Sequence, residues 1–191
     1  MTQLVFATNN PHKIQEINAI LNGAFQIVGL QDIGCTEELP ETQPTLEGNA
    51  LQKARYVQER YGFDCFSEDT GLEIAALNGA PGVITARYAG QTRDPEANMH
   101  LVLEQLRDTT DRRAQFRTVI ALLRNGQEHL FEGIVTGRIA YEKSGTGGFG
   151  YDPIFIPDGY EETFATLPTT VKNDISHRAL ATRQLIAFLQ K

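Results

Sequence analysis

Carboxylates gather at two places in the sequence: Glu37, Glu38 and Glu41 within one short stretch, and the adjacent pair Glu68-Asp69, followed by Thr70 and Gly71. Oxygen donors of this kind suit a hard cation such as Mg²⁺, which takes few protein carboxylates and keeps its other positions for water and substrate phosphates. Neighbouring residues on a strand face opposite sides, so at most one of Glu68 and Asp69 need enter a cleft. Asp69, with a hydroxyl and a glycine behind it, is the better candidate. Glu37 and Glu38 read as a solvated acidic loop.

Cations gather at two expected helix starts. Asn10-Pro11-His12-Lys13 and Ser176-His177-Arg178 both put basic side chains into a first turn, where the macrodipole disfavours positive charge by about 0.3 to 1 kcal/mol at exposed positions. A phosphate reverses the sign, because free backbone N–H groups and Lys or Arg then act on it together. Either start alone reads equally well as solvated surface charge; the two together, with Lys53 and Lys172, point to an anion pocket. His177 is also open to a role as general base, its ordinary pKa being nearest neutrality.

Gly145-Thr146-Gly147-Gly148-Phe149-Gly150 formally matches G-x-G-x-x-G. A dinucleotide fingerprint has to lie between the first strand and a helix of a βαβ unit. This run instead follows a hairpin pattern and leads into Tyr151-Asp152-Pro153, so a Rossmann site is rejected, and no P-loop motif is present either. What remains is a loop whose backbone can approach a ligand, with Phe149 available for stacking.

The elements that must position these groups are legible from periodicity and punctuation. Leu4 to Thr8 reads as a buried strand and Asn10-Pro11 as an N-cap with proline at the first helical position, followed by Ile14, Ile17 and Leu21 at helical spacing. A second helix is predicted from about Thr45 to Tyr61, its stripe formed by Leu46, Ala50, Ala54, Val57 and Tyr61, with Asn49 and Lys53 together at its edge. Cys65 to Ser67 and Leu72 to Leu77 read as short strands separated by the charged interruption, ahead of a Gly/Pro loop at residues 78–82. Pro95 to Arg107 reads as an amphipathic helix. Phe116 to Leu123 and Leu130 to Tyr141 flank Asn125-Gly126, the dipeptide favoured by a type I′ hairpin turn. A short strand at Ile154 to Ile156 and a terminal helix from about His177 complete an α/β chain with a mixed sheet.

The 191 residues, 41% hydrophobic and 21% charged, carry Lys+Arg 17 against Asp+Glu 24, a formal net charge of -7. That length reads as one domain, 1–191, able to bury roughly 70% of the surface its unfolded form exposes. The acidic balance argues against a nucleic-acid or anionic-membrane partner, which needs a basic footprint. Cys35 and Cys65 read as reduced thiols, too few and too far apart for a disulfide framework or a zinc site. The opening MTQLVFATNN has no basic region followed by an apolar stretch, and no apolar run approaches the roughly 18 residues of a membrane span. The expected location is the cytoplasm.

Four blocks in order, FATNNPHKIQE, SEDTGLEIAALNGAPGVITARYAG, GTGGFGYDPIFIP and KNDISHRAL, resemble the inosine/xanthosine triphosphate pyrophosphatase family, which hydrolyses non-standard purine nucleotides. They spread over nearly the whole chain and, as an ordered set, are far more specific than any one glycine loop. The resemblance implies an elongated mixed β-sheet flanked by helices, with two lobes and an active-site cleft between them. It also implies Mg²⁺-dependent conversion of XTP, ITP or dITP and water into the monophosphate and pyrophosphate by a cytosolic homodimer.

By match to the family's motifs, Thr8, Asn9, Asn10 and Lys13 would hold the triphosphate, with Lys53 nearby. Asp69 would be the metal-binding proton acceptor and Glu41 a further Mg²⁺ contact. Thr70 stands where the family usually has serine, keeping the hydroxyl and adding a methyl. Phe149, Gly150, Tyr151, Asp152, Lys172, His177 and Arg178 would form the base pocket, with Phe149 stacking on the purine; this gives His177 to the base in preference to proton transfer. Glu68 replaces the more usual aspartate, and its longer side chain moves the carboxylate. Donors from His177 and Arg178 to a 6-oxo group would be left unpaired against the 6-amino group of ATP, a mismatch worth up to about 10⁴ in discrimination. GTP shares the 6-oxo group and would have to be rejected at its 2-amino substituent. Two rival readings remain: a catalytically inactive nucleotide-binding sensor with the same pocket, and a phosphohydrolase acting at the γ-phosphorus.

Overall fold

Alternation along one buried strand divides the first part of the core in two. The computed structural model describes every residue except Met1, Thr2, Asn22 and Ala24, so the first two residues of the stretch read for a leader lie outside the described residues. Along the chain run β1 (Gln3–Phe6), α1 (Pro11–Leu21), β2 (Gln26–Val28), α2 (Leu46–Tyr61), β3 (Cys65–Ile74), α3 (Pro95–Gln105), β4 (Arg113–Arg124), β5 (Gln127–Ile139), β6 (Phe155–Pro157), α4 (Thr169–Ile175) and α5 (His177–Leu189). The strands form one sheet in the order β2-β1-β3-β4-β5-β6. It is mixed, as the sequence predicts: β1 pairs in parallel with β2 and β3, and β6 pairs antiparallel with β5.

The residues fall into two compact units, the first comprising the chain up to Asp69, Thr118–Gly133 and His177–Lys191, the second Thr70–Arg117 and Ile134–Ser176. In the first, Leu4 and Phe6 join Ile17, Leu21, Phe66, Ala181 and Leu185, so α1 and α5 cover one face of the strands. Val5 and Ala7 join Ala54, Val57 and Cys65 on the other, under α2. The period of two along a strand requires this split. In the second unit α3 supplies Met99 and Val102 to a cluster with Leu72, Ile74, Phe116, Ile139, Phe155 and Phe164.

Local chemistry sets the ends of these elements. The Thr45 hydroxyl accepts from the Gly48 amide at 3.0 Å and Gly62 closes α2 in the left-handed conformation, φ 75°, as N-cap and C-cap chemistry require. Asn125 and Gly126 both have positive φ, 51° and 74°, the demand of the type I′ turn.

One expectation is corrected. The two short strands with a charged break between them are a single strand, β3, which carries Glu68 and Asp69 in its interior and ends in a 3-10 turn at Ala75–Leu77. Buried charges are tolerated in a strand when they are paired, and these are. Gly71 follows because a Cβ there would lie 2.8 Å from the Gly82 carbonyl oxygen. Two elements lacked a periodic signal: three-residue β2, and α4, in which only Val171 and Ile175 are apolar. Among the described residues, no helix is long and apolar enough to cross a membrane.

Candidate active site

β3 and α2 bring together the residues around Asp69. Lys53, buried on α2, donates to Glu41 Oε1 at 2.7 Å and to the Glu68 carbonyl at 2.8 Å, with its ammonium 3.7 Å from Asp69 Oδ1. Asn49, one turn earlier, donates from Nδ2 to Asp69 Oδ2 at 3.1 Å. Burial pushes the Asp69 carboxyl up and wins; Lys53, Lys13 and the Asn49 hydrogen bond pull it down, while Glu41 adds to the rise. A carboxyl with raised proton affinity is better suited to accept a proton near neutrality.

Glu68 faces a different environment. Arg178 grips it with a fork, Nε to Oε2 at 2.7 Å and Nη2 to Oε1 at 2.8 Å, and Lys13 lies 3.0 Å from Oε1. Arg178 Nη1 donates to Glu16. Burial opposes the Glu68 charge, but Arg178 and then Lys13 outweigh it and hold the carboxyl far below the usual range. Burial likewise disfavours the Arg178 charge, and Glu68 and Glu16 more than restore it.

The turn between β1 and α1 is wired internally. Thr8 Oγ1 accepts from the Asn10 amide at 3.2 Å, and Asn10 Oδ1 caps α1 by accepting from the His12 amide at 2.9 Å. Exposed Asn9 donates to the Glu37 carbonyl at 3.4 Å. No acidic residue occupies the first turn of α1 or of α5. His177 opens α5 and is buried; a Cβ at Gly133 would come within 2.0 Å of its carbonyl oxygen, so β5 approaches this helix start backbone to backbone.

The second unit holds the remaining candidates. Asp152 Oδ2 accepts from Lys172 Nζ at 2.5 Å and from the Phe149 amide at 2.9 Å, both side chains of the ion pair being buried. The Lys172 ammonium lies 5.1 Å from the centre of the half-buried Phe149 ring, within cation–π range. Gly148 and Gly150 have positive φ, 67° and 62°, and a Cβ on Gly148 would collide with Asp152 Oδ2 at 2.0 Å. The glycines therefore shape a loop around a buried carboxylate, and a turn at Asp152–Ile154 follows it where a dinucleotide fold would open a helix. Buried Tyr151 donates to the Thr85 carbonyl at 2.7 Å. Thr70, half-buried, follows Asp69 on β3.

Sequence reasoning passed over three participants. Glu16 ends the block FATNNPHKIQE with no role read for it, Asn49 was marked only as a neighbour of Lys53, and Glu68 reads from sequence as a variant of a metal-binding pair. The signal for Asn49 was its place beside an apolar stripe, where a buried amide needs partners.

A divalent cation can be tested against this donor set. Glu41 and Asp69 both point an oxygen at the Lys53 ammonium, so two carboxylates already converge on one positive charge. Both Glu68 oxygens are engaged by Arg178 and Lys13, which removes that residue from the set. Two carboxylates with the remaining positions left to water and phosphate fit Mg²⁺. Among the described residues no group of three or more His, Cys, Asp or Glu is arranged to hold a metal by protein side chains alone.

Fold and site together define a class: an α/β protein with a mixed sheet whose central strand presents a buried carboxylate to paired amide and ammonium groups from one helix. The chain belongs to the Ham1 family, whose sequence profile matches residues 4–188. It is 54% identical over 188 residues to a dITP/XTP pyrophosphatase of Flavobacterium psychrophilum, covering 98% of this chain and 99% of the relative. A dITP/XTP pyrophosphatase of Porphyromonas gingivalis is 55% identical over 190 residues, covering 99% and 98%. The solved structure of a HAM1 protein from Coxiella burnetii superposes with a TM-score of 0.91 at 37% identity, covering 100% of this chain and 99% of that one.

Proposed function

We propose that this chain hydrolyses non-standard purine nucleoside triphosphates, dITP, XTP and ITP, to the monophosphate and pyrophosphate, removing them before they enter DNA or RNA. The observation that carries the reading is the buried Asp69 carboxylate set between Lys53 and Asn49, with Glu41 on the same ammonium, in a chain of the Ham1 family. Water attacks the α-phosphorus and gives its proton to Asp69; the bond from that phosphorus to the bridging oxygen breaks, and pyrophosphate leaves with the bonding pair.

Lys13, Lys53 and the first-turn N–H groups of α1, with Thr8, Asn9 and Asn10, hold the triphosphate and oppose the charge growing on the leaving group. Glu41 and Asp69 would hold Mg²⁺, which when bound neutralises phosphate charge as a Lewis acid. Thr70 adds a hydroxyl contact. Phe149 stacks on the purine, Gly150, Tyr151, Asp152 and Lys172 shape the base pocket, and His177 donates to the 6-oxo group; Arg178, whose nitrogens already bond Glu68 and Glu16, serves by fixing Glu68. The family resemblance supports a cytoplasmic homodimer as the working form.

The test is product analysis with dITP, XTP, ITP, ATP and GTP, in Mg²⁺ and in chelator, measuring pyrophosphate against orthophosphate. Pyrophosphate from the first three in Mg²⁺, little from ATP or GTP, and loss of turnover in Asp69→Asn with binding retained are expected. Orthophosphate as first product would refute cleavage at the α-phosphorus, and tight binding with neither product would favour the inactive sensor.

A further inference from the structure

Helix α2 buries four apolar residues, Leu46, Ala50, Ala54 and Val57, and two polar ones, Asn49 and Lys53. Their spacing of four puts the polar pair on one face, and that face meets Asp69. Nδ2 of Asn49 reaches Oδ2 of the carboxylate at 3.1 Å, and the Lys53 ammonium lies 3.7 Å from Oδ1. Each oxygen of Asp69 therefore faces one side chain of α2. The orientation of the Asn49 amide is decided by its partners: Oδ1 accepts from the Gln43 main-chain amide at 2.9 Å, so the opposite end is the donor, as a carboxylate requires. The segment carrying Gln43 does not hang on Asn49 alone. Gln52 also grips it, accepting from the Thr42 amide at 2.9 Å and donating to the Thr42 hydroxyl at 2.8 Å. The Nδ2 end of Asn49 is thus spent on Asp69.

We propose that Asn49 is a positioning residue for the hydrolysis: by donating to Oδ2 it fixes the orientation of the Asp69 carboxylate beside Lys53. This rests on the reading of Asp69 as the proton acceptor. Asn49→Asp separates the two ends of the amide, because it is nearly isosteric and keeps an oxygen for the Gln43 amide while replacing the donor that faces Asp69.

The experiment measures steady-state kinetics on dITP for wild type, Asn49→Asp, Asn49→Ala, Asp69→Asn and the double variant Asn49→Asp/Asp69→Asn, with thermal unfolding of each. Expected are a fall in kcat of about 10- to 100-fold for both Asn49 variants, the usual effect of losing a group that orients a reacting one, and a nearly unchanged KM. In the Asp69→Asn background the second substitution should add nothing, since there is no carboxylate left to position. Wild-type kcat in a folded Asn49→Asp, with Asp69→Asn inactive, overturns the inference and leaves the Asp69 reading standing. Full activity in Asp69→Asn overturns both. Losses that add in the double variant assign Asn49 a structural role only. If Asn49→Asp fails to fold, Asn49→Ala takes its place, and wild-type kcat there overturns the inference in the same way.

Discussion

Removing the Glu68 carboxylate should destabilise the protein severely, and the size of the loss follows from its surroundings. Glu68 and Arg178 are each 1% exposed, joined by two bonds at 2.7 and 2.8 Å, with Lys13 at 3.0 Å and Glu16 on the far side of the guanidinium. Two carboxylates face two cations; Glu68→Ala leaves one carboxylate and a buried guanidinium stripped of its fork. Breaking a buried pair from one side costs about 3–5 kcal/mol. At a urea dependence of about 2 kcal/mol/M that lowers the unfolding midpoint by roughly 1.5–2.5 M. Because the folded carboxyl is held below its unfolded value, its stabilisation is fully present above the ordinary glutamate pKa of about 4.3 and is lost as pH falls below it. The penalty should therefore be constant through neutral pH and shrink in acid. The chain has no tryptophan, so unfolding is best followed by far-UV circular dichroism. Lys13→Met, which removes one contact from a partly exposed side chain, should cost less, and Glu68→Gln should fall between. A midpoint shift below about 0.5 M for Glu68→Ala, with an unchanged slope, would refute the reasoning, since it corresponds to about 1 kcal/mol and is too small for a buried network.

Gly133→Ala forces a Cβ to within 2.0 Å of the His177 carbonyl oxygen and 2.6 Å of the Ala181 nitrogen; neither is the end of a flexible side chain, so a loss of about 1–3 kcal/mol or more is expected in thermal unfolding. Lys172→Met leaves the buried Asp152 carboxylate without its ammonium and Phe149 without its cation; under the proposed function KM for dITP should rise more than kcat falls, in steady-state assays. Glu37 is held down to about 2 by the Tyr61 hydroxyl, its own backbone and the Tyr56 hydroxyl. Its contribution is present above the ordinary carboxylate pKa and lost as pH falls through about 2, so Tyr61→Phe should move the acid-unfolding midpoint to higher pH.

Elements with a sustained period or a strong turn signal were legible in the sequence: α2 through its apolar stripe from Leu46 to Tyr61, and the hairpin around Asn125-Gly126. β2 and α4 were not, because three residues and a seven-residue helix with two apolar positions carry no period. The interior of β3 was misread for a different reason. Two adjacent charges look like a break until their partners are known, and Arg178 stands 110 positions away along the chain. Spacing within a helix exposed the Asn49–Lys53 pair, whereas the contact of either with Asp69 depends on how α2 packs over β3. The first block that resembles a family ends on Glu16, one turn beyond Lys13 on α1, but nothing in its spacing shows that this carboxylate meets Arg178.

Parity along β3 is what separates the two adjacent carboxylates. Cys65, Ser67 and Asp69 face α2: Sγ of Cys65 and Oγ of Ser67 donate to the carbonyls of Ala54 and Ala50, and Asp69 meets Asn49 and Lys53. Phe66 and Glu68 face the other way, where Phe66 stacks on Phe6 with ring centres 4.4 Å apart and Glu68 meets Lys13 and Arg178. A slip of one residue would exchange them, aiming a carboxylate at Lys53 from the longer side chain and leaving the Arg178 fork to the shorter one. The two environments then push proton affinity in opposite directions. Arg178 and Lys13 outweigh the burial of Glu68 and keep it charged, while Lys53, Lys13 and the Asn49 amide do not outweigh the burial of Asp69, to which the nearby Glu41 adds. Divergence of this kind within one site is how a protein assigns different tasks to like groups. Under the proposed function Glu68 anchors the cations and Asp69 takes the proton, so the pair at 68 and 69 needs two acids in a row and not two metal ligands. A glutamate at 68 satisfies that requirement because its task is to fill the Arg178 fork, and nothing in that task depends on a cation bound at Asp69.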